Sequence, residues 1–194
     1  MRKLVYYVAQ SLDGYIGGPD GDASFFPHDG DHAGLVAEYP ETVPSHIADA
    51  VGLDTTPRLF DTVLMGRGTY QAGGVPSPYR HLRQIVYSRS LAAADDPAVE
   101  VVAADPAEHV RALKREPGGE PGKDIWLCGG GGLAAALRDE IDEFHLKIYP
   151  VVIGSGTPLV DGPFAVRGLA LTHSRTYQDG VAFHIYARRP ADRA

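Results

Sequence analysis

The 194-residue sequence predicts a layered α/β fold in which a central mixed, mostly parallel sheet carries flanking helices and ends in a C-terminal antiparallel hairpin. Three observations predict it. Short runs rich in β-branched and aromatic residues recur along the chain, and most are continuously apolar, the pattern of parallel strands covered on both faces. Helix-start signals and glycine turns lie between them. The C-terminal quarter changes character, with two strand-like runs flanking one tight turn.

In chain order, residues 3–9 form the first strand. Residues 25–60 interrupt any period with acids, histidines and prolines, and read as loop plus helices around 34–39 and 45–51. Strands follow at 62–65, 84–87 and 99–102. Asp105-Pro106-Ala107-Glu108 then opens a helix, with an Asp N-cap, proline at the first helical position and an acid in the first turn; it should run to about Glu116. The Pro- and Gly-rich stretch 117–122 cannot continue that helix and forms a surface loop. Strands at 124–127 and 143–149 complete the parallel part. Residues 168–177 and 181–189 form the hairpin, with Gln178-Asp179-Gly180 as its turn.

Composition narrows the function. Hydrophobic residues at 44% and charged residues at 22% describe one globular domain spanning residues 1–194. A net charge of −7 argues against nucleic acid, which requires a basic face. The apolar N-terminal run is too short for a signal peptide or a membrane span. Cys128 is the sole cysteine, so neither an intrachain disulfide nor a thiolate zinc site is available, and a reducing cytoplasm suits the chain.

Three strand ends carry chemistry. Ile125 to Leu137 reads as strand, four glycines (Gly129, Gly130, Gly131, Gly132), then helix from Leu133. Glycines admit a ligand close to the backbone, and a helix start offers N–H groups and partial positive charge to a pyrophosphate. The spacing does not meet the G-x-G-x-x-G fingerprint. Gly66-Arg67-Gly68-Thr69 follows the strand at 62–65, adding a guanidinium and a hydroxyl suited to phosphate. Ser88-Arg89-Ser90 follows the strand at 84–87. Taken singly, an arginine at a strand end is a solvated residue and Ser88 a turn cap. Three such ends at the carboxyl edge of an open sheet can converge on one crevice.

These motifs, in this order after Ser11-Leu12-Asp13-Gly14-Tyr15-Ile16-Gly17, resemble the dihydrofolate-reductase-like family over nearly the whole chain. Within it, residues 142–159 resemble the reductase domain of the riboflavin-biosynthesis deaminase/reductase, here in stand-alone form. The resemblance implies the dihydrofolate-reductase-like three-layer fold, NADPH as cofactor, and hydride transfer to a pterin-like or pyrimidine-like small molecule. It places Ala9 and Ile16 at the nicotinamide, with Ile16 on a covering loop that Asp13-Gly14 shapes. Gly66, Arg67, Gly68 and Thr69 match a phosphate turn, and Ser88, Arg89 and Ser90 the 2′-phosphate segment. Gly129 to Gly132 and Leu133 match the pyrophosphate and nicotinamide-ribose contacts. A cis bond between Gly129 and Gly130 and a homodimer are implied as well.

The substrate end departs from the family. A folate reductase holds its pterin with one buried acid, and Asp20, Asp22, Asp29, Asp31 and Glu38 compete for that place. The riboflavin enzyme's Asp-x-Pro-x-Leu-Thr stretch is replaced by Tyr70-Gln71-Ala72-Gly73-Gly74. Tyr149 reads equally as a pocket residue and as a core tyrosine. His28, His32 and His46, beside Asp29 and Asp31, have irregular spacing and read as solvated loop residues rather than metal ligands. Two other functions compete: a non-catalytic NADPH-binding regulatory module, which the missing substrate stretch favours, and a flavin-binding redox protein, for which no residue pattern speaks.

Overall fold

The structure is a computed structural model that describes residues 1–92, 96–117 and 123–189. The loop expected over 117–122 lies, from residue 118 on, outside the described residues. The described strands, in chain order, are β1 (Leu4–Gln10), β2 (Tyr15–Gly17), β3 (Phe60–Gly66), β4 (Arg83–Tyr87), β5 (Val99–Val102), β6 (Asp124–Gly129), β7 (Glu143–Ile148), β8 (Thr157–Pro158), β9 (Leu169–Thr176) and β10 (Ala182–Arg188). The helices are α1 (Leu35–Glu38), α2 (Ser45–Val51), α3 (Arg67–Ala72), α4 (Pro106–Arg115) and α5 (Gly131–Ala136).

Eight strands make one sheet in the order β5-β4-β3-β6-β1-β7-β10-β9. From β5 to β7 every pairing is parallel, and the terminal hairpin adds β10 and β9 antiparallel. The continuous apolar runs are explained by cover on both faces. From β1, Leu4 and Tyr6 join Leu64, Ile85 and Leu127 beneath Val110 and Leu113 of α4. Val5 and Tyr7 point the other way, into a cluster with Phe60, Val63, Trp126, Leu35 and Tyr39. At roughly 25 cal/mol per Å² of apolar surface removed from water, these two layers supply the main driving force for folding.

Local signals set the element ends. Asp105 Oδ1 accepts the Ala107 and Glu108 N–H groups, Pro106 fills the first helical position, and α4 stops at Arg115, one residue short of the expectation. The hairpin closes through Tyr177 N–H to Val181 O at 2.9 Å, with Gly180 at φ +84° in its turn. Sequence inspection did not anticipate the second sheet, in which β2 and β8 pair antiparallel and tie the loop after β1 to the segment after β7. Strands of three and two residues leave no periodic signal. Among the described residues no helix is long and apolar enough to cross a membrane.

Candidate functional site

The carboxyl ends of β3, β4, β5 and β6 enclose a cleft of about 490 Å³. Its walls include Gly66 and Arg67, Ser88 and Arg89, Gly132 and Leu133, so the three sequence motifs meet at one place. Arg67 Nη1 donates to Ser90 Oγ at 2.6 Å, joining the β3 turn to the β4 turn directly. Arg89 is exposed and makes no hydrogen bond or ion pair among the described residues. Asp105 also lines the cleft, but its Oδ1 is committed to the α4 cap. Ser88 Oγ accepts the Ser90 and Leu91 N–H groups at 3.2 and 2.9 Å. That oxygen therefore shapes the turn, while its hydroxyl proton stays available to a ligand. Gly68 is exposed, and nothing lies within 4 Å of where its side chain would start.

The four glycines do different things. The Gly129–Gly130 peptide is cis, and Gly66 lies against it, 3.6 Å separating a Cβ built there from Gly130 N. A methyl group on Gly129 or Gly130 would sit 3.5 Å from Thr69 Oγ1, with Ile16 Cδ1 at 3.9 and 4.0 Å respectively. Thr69 and Ile16 thus face the same bend. Gly131 is buried, and a Cβ there would overlap Pro158 O. Gly132 is exposed, with open space where a side chain would project. A Cβ on Gly156 would likewise overlap Gly17 O, and one on Gly162 would overlap the Ala135 side chain. The loop that carries Ile16 is held at its base, where the Asp13 carboxylate accepts the Gly154 N–H at 2.8 Å and the Ser11 hydroxyl at 2.6 Å. These bonds hold its pKa below the ordinary carboxylate value, the Ser11 bond first.

Beside Ala9 the site changes character. Ala9 packs against Phe26, Tyr149 and Val181, and Tyr149 is 2% exposed. Tyr149 is thus a core side chain whose hydroxyl ends a polar string. Its hydroxyl lies 3.2 Å from His32 Nε2, whose Nδ1 lies 2.6 Å from Asp179 Oδ2. Asp179 also accepts the backbone N–H of His32, the main reason its carboxyl is held down to about 2. Burial pushes the Cys128 thiol up to about 11 and Tyr149 upward as well.

Two expectations need correction. His32 is buried, 5% exposed, not solvated: the hairpin turn carrying Asp179 folds over residues 30–32 and supplies its partner. Asp20, Asp22, Asp29, Asp31 and Glu38 are all exposed. The buried acid of that region is Glu41, fully enclosed, whose Oε1 accepts the Leu59 and Phe60 N–H groups at the start of β3. It serves the chain's own backbone. Its place after Pro40, outside the expected helices, gave no sequence signal.

Two uncharacterised Bacillus subtilis (strain 168) proteins are similar along nearly their whole length: YyaP is 28% identical over 95% of this chain and 94% of its own, and YwjB 30% identical over 94% and 97%. Among solved structures, a Shewanella sp. PV-4 protein whose name assigns it to riboflavin biosynthesis superposes with a TM-score of 0.66 at 22% identity, covering 97% of this chain and 99% of that one. The Thermotoga maritima diaminohydroxyphosphoribosylaminopyrimidine deaminase/5-amino-6-(5-phosphoribosylamino)uracil reductase gives 0.63 at 15% identity. The match spans 97% of this chain but only 57% of the Thermotoga protein. The fold is the dihydrofolate-reductase-like one that the motif order implies. A family model described as the RibD C-terminal domain matches residues 2–183, and the chain belongs to that family.

Proposed function

We propose that this chain is an NADPH-dependent reductase that passes a hydride to a C=N or C=O carbon of a pterin-like or pyrimidine-like small molecule. The observation that carries the reading is the convergence of Arg67, Ser88, Arg89 and Gly132 on one cleft, whose Gly66 lies against the Gly129–Gly130 bend that Thr69 and Ile16 face. The donor set fits the cofactor: guanidiniums and hydroxyls suit a 2′-phosphate, and Gly132 leaves room for a pyrophosphate to approach backbone. When bound, NADPH supplies the hydride and its electron pair. The chain's own part is to hold the nicotinamide beside Ala9 under Ile16, to exclude water, and to orient the acceptor.

A single domain over residues 1–194, acting as a homodimer in the cytoplasm, completes the reading. Titrating the protein with NADPH and NADH by fluorescence tests its first half, with tighter binding of NADPH expected. No response to either cofactor removes the reading. Binding without oxidation by any of a panel of pteridines, aminopyrimidines and quinones would turn it into a non-catalytic regulatory module.

A further inference from the structure

We propose that Lys147 is the acid that protonates the reduced acceptor, at the cluster that it forms beside Ala9 with Tyr7, Cys128 and Tyr149; this rests on the hydride-transfer reading above. Side chains alternate along a strand, so Tyr7 and Ala9 leave the same face of β1. On the neighbouring strand β7, Lys147 stands in register with Ala9. Its Nζ lies 4.8 Å from the centre of the Tyr7 ring, and the chain supplies it with no carboxylate and no hydrogen bond among the described residues. Half-buried and held only by a ring face, this ammonium is an unfilled donor.

The groups facing it are few. From β1 comes Tyr7, and from β6 Cys128, whose Sγ lies 4.0 Å from Tyr79 OH. β10 contributes Phe183, which has no charge. On β7 itself, His145 is taken by Tyr39 OH and Glu143. Tyr149 follows on the same face, its hydroxyl fixed by His32 and, through it, by Asp179. Desolvation lowers the Lys147 pKa, moving it toward the range in which an acid acts near neutrality.

The chemistry balances without a further reactant. The acceptor carbon takes the hydride, the electron pair of its C=N or C=O bond moves to the heteroatom, and that atom takes a proton from Lys147 Nζ. The carbon is reduced, the nicotinamide oxidised, and the neutral amine regains its proton from water. Tyr149 acts by position, keeping the acceptor against the ammonium. The acceptor class follows: a planar compound whose heteroatom gains negative charge beside the reduced carbon.

The test uses carbon-13-labelled lysine and the full chain, the Lys147 signal being assigned by its loss in Lys147→Met. Lys147 is titrated by NMR from pH ~6 to ~11 with NADPH and with NADP+ bound. The oxidised ring adds a positive charge, so the midpoint should fall further with NADP+ than with NADPH. Equal midpoints place the ammonium away from the nicotinamide and overturn the proposal. In parallel, NADPH oxidation is followed with the best acceptor of the panel. Lys147→Met and Lys147→Arg should bind NADPH within about twofold of the parent yet lose ~100-fold or more in kcat, and the parent rate should fall as pH rises through the Lys147 midpoint. Turnover by Lys147→Met within threefold of the parent rejects Lys147 while leaving the reductase reading intact. Absence of NADPH binding by the parent removes both.

Discussion

The open cleft at the ends of β3 to β6 and the packed cluster beside Ala9 are built in opposite ways. The cleft walls come from strand ends and the segments that follow them, and their polar groups either meet a neighbour across the cleft, as Arg67 meets Ser90, or stand free for a ligand, as Arg89 does. The cluster is assembled from far apart in the chain: the His32–Asp179 bond spans 147 positions and the Tyr149–His32 bond 117. Cleft residues are therefore released from folding and can be tuned to a ligand. The cluster residues hold distant segments together, so a change there is felt first in stability.

Four measurements break or sharpen that contrast. The largest effect belongs to the cluster: His32→Ala removes a buried ring together with its bonds to Asp179 and Tyr149, and should cost about 3 kcal/mol in urea unfolding. NADPH affinity should stay within about twofold. A tenfold loss of affinity with unchanged stability would erase the distinction. Next comes the cleft. Arg89→Ala should weaken NADPH by about tenfold, near 1.4 kcal/mol, and NADH much less, with stability within ~0.5 kcal/mol of the parent. Equal losses for the two cofactors would detach Arg89 from the 2′-phosphate.

Ser88→Ala straddles the two regions, because its oxygen holds the turn that presents Arg89. It should cost about 1 kcal/mol of stability and a smaller factor in NADPH affinity. A change in affinity alone would make Ser88 purely a ligand contact. The smallest effect is a slope. The Asp179 carboxyl is held down to about 2, below its ordinary value of 3.8, so its stabilising share is complete above pH ~4 and is lost as pH falls toward about 2. Glu143, held down to about 2 chiefly by its bond to His145, gives a slope of the same sign below its ordinary 4.5. Asp179→Asn should flatten only the Asp179 part of urea midpoints measured through that window.

What could be read in the sequence divides along the same line. Most strands of the main sheet were legible because a buried parallel strand is a continuous apolar run, and a helix was expected over 45–51, where α2 runs Ser45–Val51. Arg67, Ser88, Arg89, Gly132 and Leu133 were legible because each sits within a few positions of its strand end, whereas the wall at the end of β5, Val102 to Pro106, was read only as strand and helix start. The rest of 25–60 was not, because its residues take their places from partners well along the chain: His32 from Asp179, Glu38 from Arg175, and Glu41 from the N–H groups of Leu59 and Phe60, 18 and 19 positions on. No local pattern records such a bond. Lys147 was read only as part of a strand, since nothing nearby in sequence marks a lysine that faces a tyrosine ring.

Close backbone approaches at Gly131, Gly156 and Gly162 have a mechanical consequence. They seat residues 154–162 between the loop that carries Ile16 and the helix that follows the cis peptide, with no clearance on either side. The loop that carries Ile16 is thus no free flap: to move, it must slide past the whole strap or drag it along. Opening and closing become a block movement, and a ligand seated under Ile16 should slow amide exchange as far away as residue 162.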